Sequence, residues 1–302
     1  MYRSETLIRR LITIQEESHM PEVLSGKTVS QASLAEIKQR AEALAAKGVT
    51  PKLAIVRFGA RPDDIYYEKG AKRTCGQVGV ACETAELPDD VPLADALAAV
   101  TRLNDDPSVH GILVLQPMPK HIDATKVRHL ISPDKDIDGM SPINAAKVFE
   151  GDPTGYSPCT PMAVMEIIKH YGIALKGKKV VVLGRSMVVG KPAAMLLLGE
   201  HATVTICHSR TQDLAFEARQ ADVLVAAIGK AKMVTKDYVK PGAIVIDVGI
   251  NVDQNGKLCG DVDYESASPM ASMITPVPGG VGSVTTAVLA KHVVRAAEKA
   301  SQ

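Results

Sequence analysis

The chain has 302 residues, 46% of them apolar and 23% charged, with 35 basic against 34 acidic side chains. That length suggests about two domains. A formal net charge of +1 argues against nucleic acid or an anionic membrane surface as a general partner, and no apolar run is long enough to span a bilayer. With no Trp and three Phe, the core must be built from Val, Leu, Ile, Ala and Met. Cys75, Cys82, Cys159, Cys207 and Cys259 form an odd set without a C-x-x-C pair. This argues against a disulfide framework or a zinc site, and the expectation is reduced thiols in a cytoplasmic protein without a metal.

Residues 1–19 carry Arg3, Arg9 and Arg10, as a transit peptide would, but also Glu5, Glu16 and Glu17, which such peptides avoid. They read as an extension, with Met20 as an alternative start. Residues 28–47 have helical spacing and end at Gly48 and Pro51. Lys52 to Phe58 reads as a strand, and Asp63 or Asp64 as the cap of a helix reaching about Gly79. A strand from Ala81 to Leu87, a helix from Leu93 to Leu103 and a strand from Gly111 to Leu115 follow. The loop SPDKDIDGMSP comes next.

The segment from Gly151 to Pro161 concentrates turn residues and marks a boundary, with Thr160 and Pro161 as helix cap and first-turn proline. A second α/β series then runs through strands at 179–183, 203–207, 223–228 and 243–248. Helices start near Gly190 and Thr211, and an amphipathic helix runs from Thr285 to Lys299. Alternating strands and helices predict an α/β fold of two domains with largely parallel sheets. The expected division is 20–157, then a Rossmann-like unit at 158–282, then 283–302 packing back on the first domain.

KKVVVLGRSMVVGKP, Lys178 to Pro192, reads as a buried strand, a glycine turn and a helix start, which is how a dinucleotide-binding βαβ unit opens. Gly184, Arg185, Ser186 and Gly190 are placed to hold a diphosphate at the helix N-terminus. An NAD site usually ends its second strand with an acid. Here that strand ends in Cys207, His208, Ser209 and Arg210. A hydroxyl and a guanidinium suit a 2′-phosphate, so NADP is favoured over NAD. The DVGIN run from Asp247 to Asn251, with Ile250, sits at a strand end where such sheets bind ligands. Pro278, Gly279 and Gly280, within TPVPGGVGSVT, form a wall free of side chains that a flat ligand can approach.

Taken together, NDDPSVHGILV, PDKDIDGMSPIN, SPCTP, VVVLGRSMVVGKP, GAIVIDVGIN and TPVPGGVG resemble the methylenetetrahydrofolate dehydrogenase/methenyltetrahydrofolate cyclohydrolase family in order and spacing. The resemblance implies a cleft between a folate-binding domain and a Rossmann domain, usually in a homodimer. It also implies NADP-dependent oxidation of 5,10-methylenetetrahydrofolate, followed in bifunctional members by hydrolysis to 10-formyltetrahydrofolate. It places the pterin-stacking tyrosine on Tyr67 and the pterin-holding aspartate on Asp138.

The family's Tyr-x-x-x-Lys lysine falls on Ala71 and its Val-Gln-Leu-Pro glutamine on Leu115. Ser283 also departs from the pattern. Lys72 is about 100° further round the helix and Lys69 is displaced the other way, so neither is an automatic substitute. Gln116 is next to the glutamine position, on the opposite strand face. The expectation is therefore a dehydrogenase with weak or absent cyclohydrolase activity. A bifunctional enzyme using Lys72 or Lys69, or a folate- and nucleotide-binding protein without turnover, are the alternatives.

Overall fold

A computed structural model describes residues 20–302. The extension at 1–19 lies outside the described residues. The elements run β1 (Glu22–Val23), α1 (Gly26–Ala45), β2 (Lys52–Phe58), α2 (Pro62–Gln77), β3 (Ala81–Leu87), α3 (Leu93–Asp105), β4 (Gly111–Val114), α4 (Ala124–Leu130), α5 (Pro142–Glu150) and α6 (Cys159–His170). There follow β5 (Lys179–Leu183), α7 (Gly190–Gly199), β6 (Thr203–Cys207), α8 (Leu214–Ala218), β7 (Val223–Ala226), β8 (Ala243–Asp247), β9 (Asn251–Val252), β10 (Leu258–Cys259), α9 (Tyr264–Ala267), β11 (Ala271–Ile274) and α10 (Gly282–Ala300).

Two parallel sheets carry the fold. One has the order β3-β2-β4, the other β1-β11-β8-β7-β5-β6. The buried runs of β2 and β5 after their first lysines, and of β7 throughout, reflect helices covering both faces, the usual state of a parallel sheet. A β9–β10 hairpin stands apart.

Several boundaries differ from expectation for local reasons. α2 starts at Pro62, whose fixed φ suits the first turn, so Asp63 and Asp64 lie inside that turn instead of capping it. α6 starts at Cys159 after Pro158, which puts Thr160 inside the helix. Asp213 caps the short α8 by accepting from Phe216 N at 3.1 Å, so that helix begins after Thr211. Three helices escaped the pattern reading although each has a cap: Asp123 accepts from Thr125 N at 3.0 Å, Ser141 from Asn144 N at 3.2 Å and Asp263 from Ser266 N at 3.4 Å.

The division of the chain is also crossed at its start. β1 joins the six-stranded sheet, with Glu22 opposite Met273 and Val23 opposite Ile274, so residues 22–23 do not belong with the unit drawn at 20–157. A two-residue strand has no periodicity, and only its distant partner defines it. The C-terminal helix α10 packs against α1, α2 and α6 and against β2 and β4. Arg295 and Lys299 on it donate to the carbonyls of Pro153 at 2.6 Å and Thr154 at 2.7 Å, in the boundary segment.

The start of α1 is set by a backbone approach. Gly26 N donates to Gly279 O at 2.8 Å, and a Cβ on Gly26 would stand 2.0 Å from Gly280 O. Gly26→Ala must push this loop away, and we expect it to lower stability by about 1–3 kcal/mol, read from urea unfolding midpoints.

Candidate functional site

Helix α2 presents two different faces. Tyr67 is half-buried and Ala71, one turn on, is 0% exposed. Burial first, and then the nearby Asp138 carboxylate, hold the Tyr67 phenol well above its ordinary pKa. Tyr67 packs against the buried cluster containing Ile137, which precedes Asp138 in sequence, and Cys159, whose amide holds the Asp138 carboxylate. Ala71 and Leu115 (6% exposed) belong to the same buried cluster as Ile137 and Cys159. The two positions where the chain departs from the family pattern are thus apolar and buried together.

Lys72 sits elsewhere. Its Nζ is 2.6 Å from Glu68 Oε1, and Glu68 also accepts from Arg57 Nε at 2.8 Å and Thr84 Oγ1 at 2.6 Å. Burial pushes the Glu68 carboxyl up, but its hydrogen bonds from Lys72, Thr84 and Arg57 outweigh this and hold it at about 2. The ion pair draws Lys72 toward β3, away from the Tyr67 face, because residues five apart on a helix do not share a side. Lys69 and Gln116 are exposed.

The charged loop before α5 divides its labour. Lys135 Nζ donates to the carbonyls of Asn104 and Asp106, each at 2.6 Å, closing the end of α3. Asp136 accepts from Met140 N at 2.8 Å, Ser141 N at 2.7 Å and Asn144 Nδ2 at 2.9 Å. Asp138 accepts from Cys159 N at 2.9 Å, at the N-terminus of α6. Burial raises its pKa, and the Cys159 amide works against that rise. Behind it His292 Nδ1 lies 2.7 Å from Ile137 O, so that nitrogen carries the proton. Burial drives His292 down to about 4, keeping the ring neutral. Pattern reading missed His292 because it looks like any polar residue on an amphipathic helix.

At the other end, Gly184 (φ 126°) and Gly190 close the turn between β5 and α7. A Cβ at Gly184 would stand 2.2 Å from Ala227 O, and one at Gly190 2.2 Å from Gly184 O. Only glycine fits at either position. Ser186 Oγ accepts from Val189 N at 3.1 Å and shapes the loop, while Arg185 and Ser186 are exposed. Gly184 N donates to Cys207 O at 2.8 Å, which brings the end of β6 beside the turn. Ser209 and Arg210 follow, both exposed and with no acid among them. A backbone cradle at a helix N-terminus with cations nearby fits a phosphate-bearing dinucleotide.

Two buried carboxyls that sequence reading did not pair hold the strand ends together. Asp261 accepts from Ile228 N at 2.6 Å, Gly229 N at 3.0 Å, Lys230 N at 2.9 Å and Asn251 Nδ2 at 2.9 Å. Asp247 accepts from Gly249 N at 2.9 Å, Asp261 N at 3.0 Å and Val262 N at 2.9 Å. These bonds fix both flanks of Ile250, which is exposed. A Cβ on Gly282 would lie 3.3 Å from Ile250 Cδ1. One turn later Thr286 Oγ1 accepts from Thr74 Oγ1 of α2 at 3.2 Å. The start of α10 thus links the DVGIN run to the helix bearing Tyr67. Pro278 is exposed and Gly279 (φ 102°) and Gly280 adjoin it.

A glycine cradle at a helix N-terminus, on a parallel sheet of a two-domain α/β chain, defines the class of dinucleotide-binding α/β proteins. The comparisons specify it further. Residues 24–138 match the tetrahydrofolate dehydrogenase/cyclohydrolase catalytic domain, and residues 158–301 match that family's NAD(P)-binding domain. The chain is 56% identical over 277 residues to the bifunctional protein FolD of Alkaliphilus oremlandii, covering 92% of this chain and 97% of the relative. The bifunctional FolD dehydrogenase/cyclohydrolase structure from Campylobacter jejuni superposes with a TM-score of 0.90 at 41% identity, covering 92% and 98%. The Trypanosoma brucei FolD structure, complexed with NADP and an inhibitor, gives 0.89 at 35% identity, covering 94% and 99%. The chain belongs to the tetrahydrofolate dehydrogenase/cyclohydrolase family.

Among the described residues no three metal-ligating side chains cluster, and no helix is long and apolar enough to cross a membrane.

Burial raises Asp247 to about 6, against the hydrogen bonds from Val262, Gly249 and Asp261. A carboxyl raised on folding stabilises the fold below its unfolded pKa, near 4, and loses that contribution as pH rises through about 6. Wild-type stability should therefore fall across this window relative to Asp247→Asn, whose curve lacks the step. Urea midpoints at four pH values from 4 to about 7 measure the difference.

Proposed function

We propose that the protein oxidises 5,10-methylenetetrahydrofolate to 5,10-methenyltetrahydrofolate with NADP, and that its cyclohydrolase activity is weak or absent. The observation that carries the reading is that Tyr67 packs on the buried cluster in which the two departing positions, Ala71 and Leu115, are apolar and buried. In this reading Tyr67 stacks on the pterin, Asp138 hydrogen-bonds it, and the backbone at Pro278, Gly279 and Gly280 forms the facing wall. Gly184, Arg185, Ser186 and Gly190 hold the diphosphate, Ser209 and Arg210 the 2′-phosphate, and Ile250 the nicotinamide end. NADP bound there supplies a hydride acceptor.

The two reactions ask different things of the side chains. Loss of hydride from the methylene carbon leaves a cation stabilised by the flanking nitrogens, so no side chain must take a proton. Positioning is most of the task. Hydrolysis of the methenyl group needs an activated water and later proton transfers, work for an amine of lowered pKa. Ala71 offers no such group, and Lys72 is engaged by Glu68.

The second reading, a bifunctional enzyme, is favoured by the names of relatives above half identity. It requires Lys72 or Lys69 to reach the substrate. Purified protein given methenyltetrahydrofolate without nucleotide separates the two readings. We expect hydrolysis far slower than dehydrogenase turnover, and comparable rates would overturn the proposal. Ala71→Lys with Leu115→Gln should raise hydrolysis by roughly 10²–10⁴-fold, whereas in the bifunctional reading Lys72→Met or Lys69→Met lowers it.

For the cofactor, Arg210→Ala should raise KM for NADP on the order of tenfold or more and leave KM for NAD nearly unchanged. Equal effects on both would remove Arg210 from the 2′-phosphate site. A homodimer completes the proposal, and its mass by light scattering is the check.

A further inference from the structure

Cys75 and Cys82 have a chemistry that neither reaction uses. Cys75 lies near the end of α2 and is fully buried. Cys82, the second residue of β3, is the one cysteine of the five that is not buried. Register sets them face to face. Glu68 and Cys75 are two helical turns apart and share a face of α2. Thr84 and Cys82 are two residues apart and share a face of β3.

Glu68 accepts from Thr84 Oγ1 at 2.6 Å, so these faces touch. From that contact the helix advances about 10 Å to Cys75 and the strand about 7 Å to Cys82, a difference two side chains can span. The connecting turn holds this end closed: Val78 N and Val80 N donate to Cys75 O at 3.1 and 3.0 Å. Cys82 packs against the buried cluster to which Cys75 belongs.

We infer that Cys82 and Cys75 form a thiol–disulfide exchange site for low-molecular-weight disulfides, with Cys82 as the attacking and Cys75 as the resolving sulfur. Cys82 attacks one sulfur of the external disulfide. Its S–S bond breaks, and one thiol leaves with the proton that Cys82 gives up. Cys75 then attacks the Cys82 sulfur of the mixed disulfide, and the second thiol leaves with the proton from Cys75. The external disulfide is reduced to two thiols, and the pair is oxidised to a single Cys75–Cys82 bond.

The environment suits these roles. The Cys75 thiol, and then the Lys72 ammonium, hold the Cys82 thiol below its ordinary pKa despite partial burial. The Cys82 sulfur and burial keep Cys75 protonated. Closing the bond needs Cα atoms about 4.4–6.8 Å apart, which would clamp the last turn of α2, the helix that carries Tyr67, onto β3.

The test uses the full-length protein with oxidised glutathione under native conditions, read by intact mass and peptide mapping. The wild type should lose two hydrogens, keep no adduct and yield a Cys75–Cys82 cross-linked peptide that dithiothreitol releases. Cys75→Ala should retain one glutathionyl group on Cys82, and Cys82→Ala should acquire neither adduct nor cross-link. Wild type that keeps glutathione on Cys82 as stably as Cys75→Ala overturns the inference, as does Cys82 left unmodified. The wild-type peptide map decides the question even where a variant misfolds. Because the readout is mass, it is independent of which folate reaction the enzyme performs.

Discussion

The burial of helix α10 is the constraint on which the rest of the structure depends. Its apolar positions are covered by α1, α2 and α6, so a helix that follows the Rossmann-like sheet in sequence completes the core of the other unit. An amphipathic helix of this length has no stable form unless its face finds a partner. Here the partners include α2, which carries Tyr67, and α6, whose first amide holds Asp138. His292 on α10 props Ile137, and Thr286 meets Thr74 on α2. The position of Asp138 relative to Tyr67 follows from this packing.

Backbone approach is the second organising element. At Gly26 against Gly280, at Gly190 against Gly184 and at Gly184 against Ala227, main chain meets main chain with no room for a Cβ. The first contact seats the wall at 278–280 on α1. The other two form the cradle at the start of α7. Both ends of the candidate site are therefore made of backbone whose shape is fixed by neighbours instead of by flexible side chains. That suits a reaction in which placement does most of the work.

The charged groups fall into two kinds. Asp136, Lys135, Asp247 and Asp261 spend their hydrogen-bonding capacity on loops and helix ends, which explains why charge-rich segments here are ordered frameworks. Asp138 makes one bond to the amide of Cys159 and is the acid of its loop whose charge acts on Tyr67. Glu68 is spent on the side chains of Arg57, Thr84 and Lys72, and so takes Lys72 with it. A lysine one position from the expected place is thus committed to an ion pair on another face.

The amino-acid sequence alone determined the alternation of strands and helices, the glycine turn at Gly184, the absence of an acid after β6 and the family motifs with their departures at Ala71 and Leu115. These are local signals, set by periodicity, turn chemistry and the identity of a residue within a run. The tertiary structure decided what depends on partners far away in the chain. β1 is a strand only because β11 lies beside it, Asp247 and Asp261 form a pair only because the β9–β10 hairpin folds back, and Lys72 turns away because Arg57 and Thr84 have already fixed Glu68. No local pattern encodes such pairings, since each is chosen by packing and register among segments tens to hundreds of residues apart.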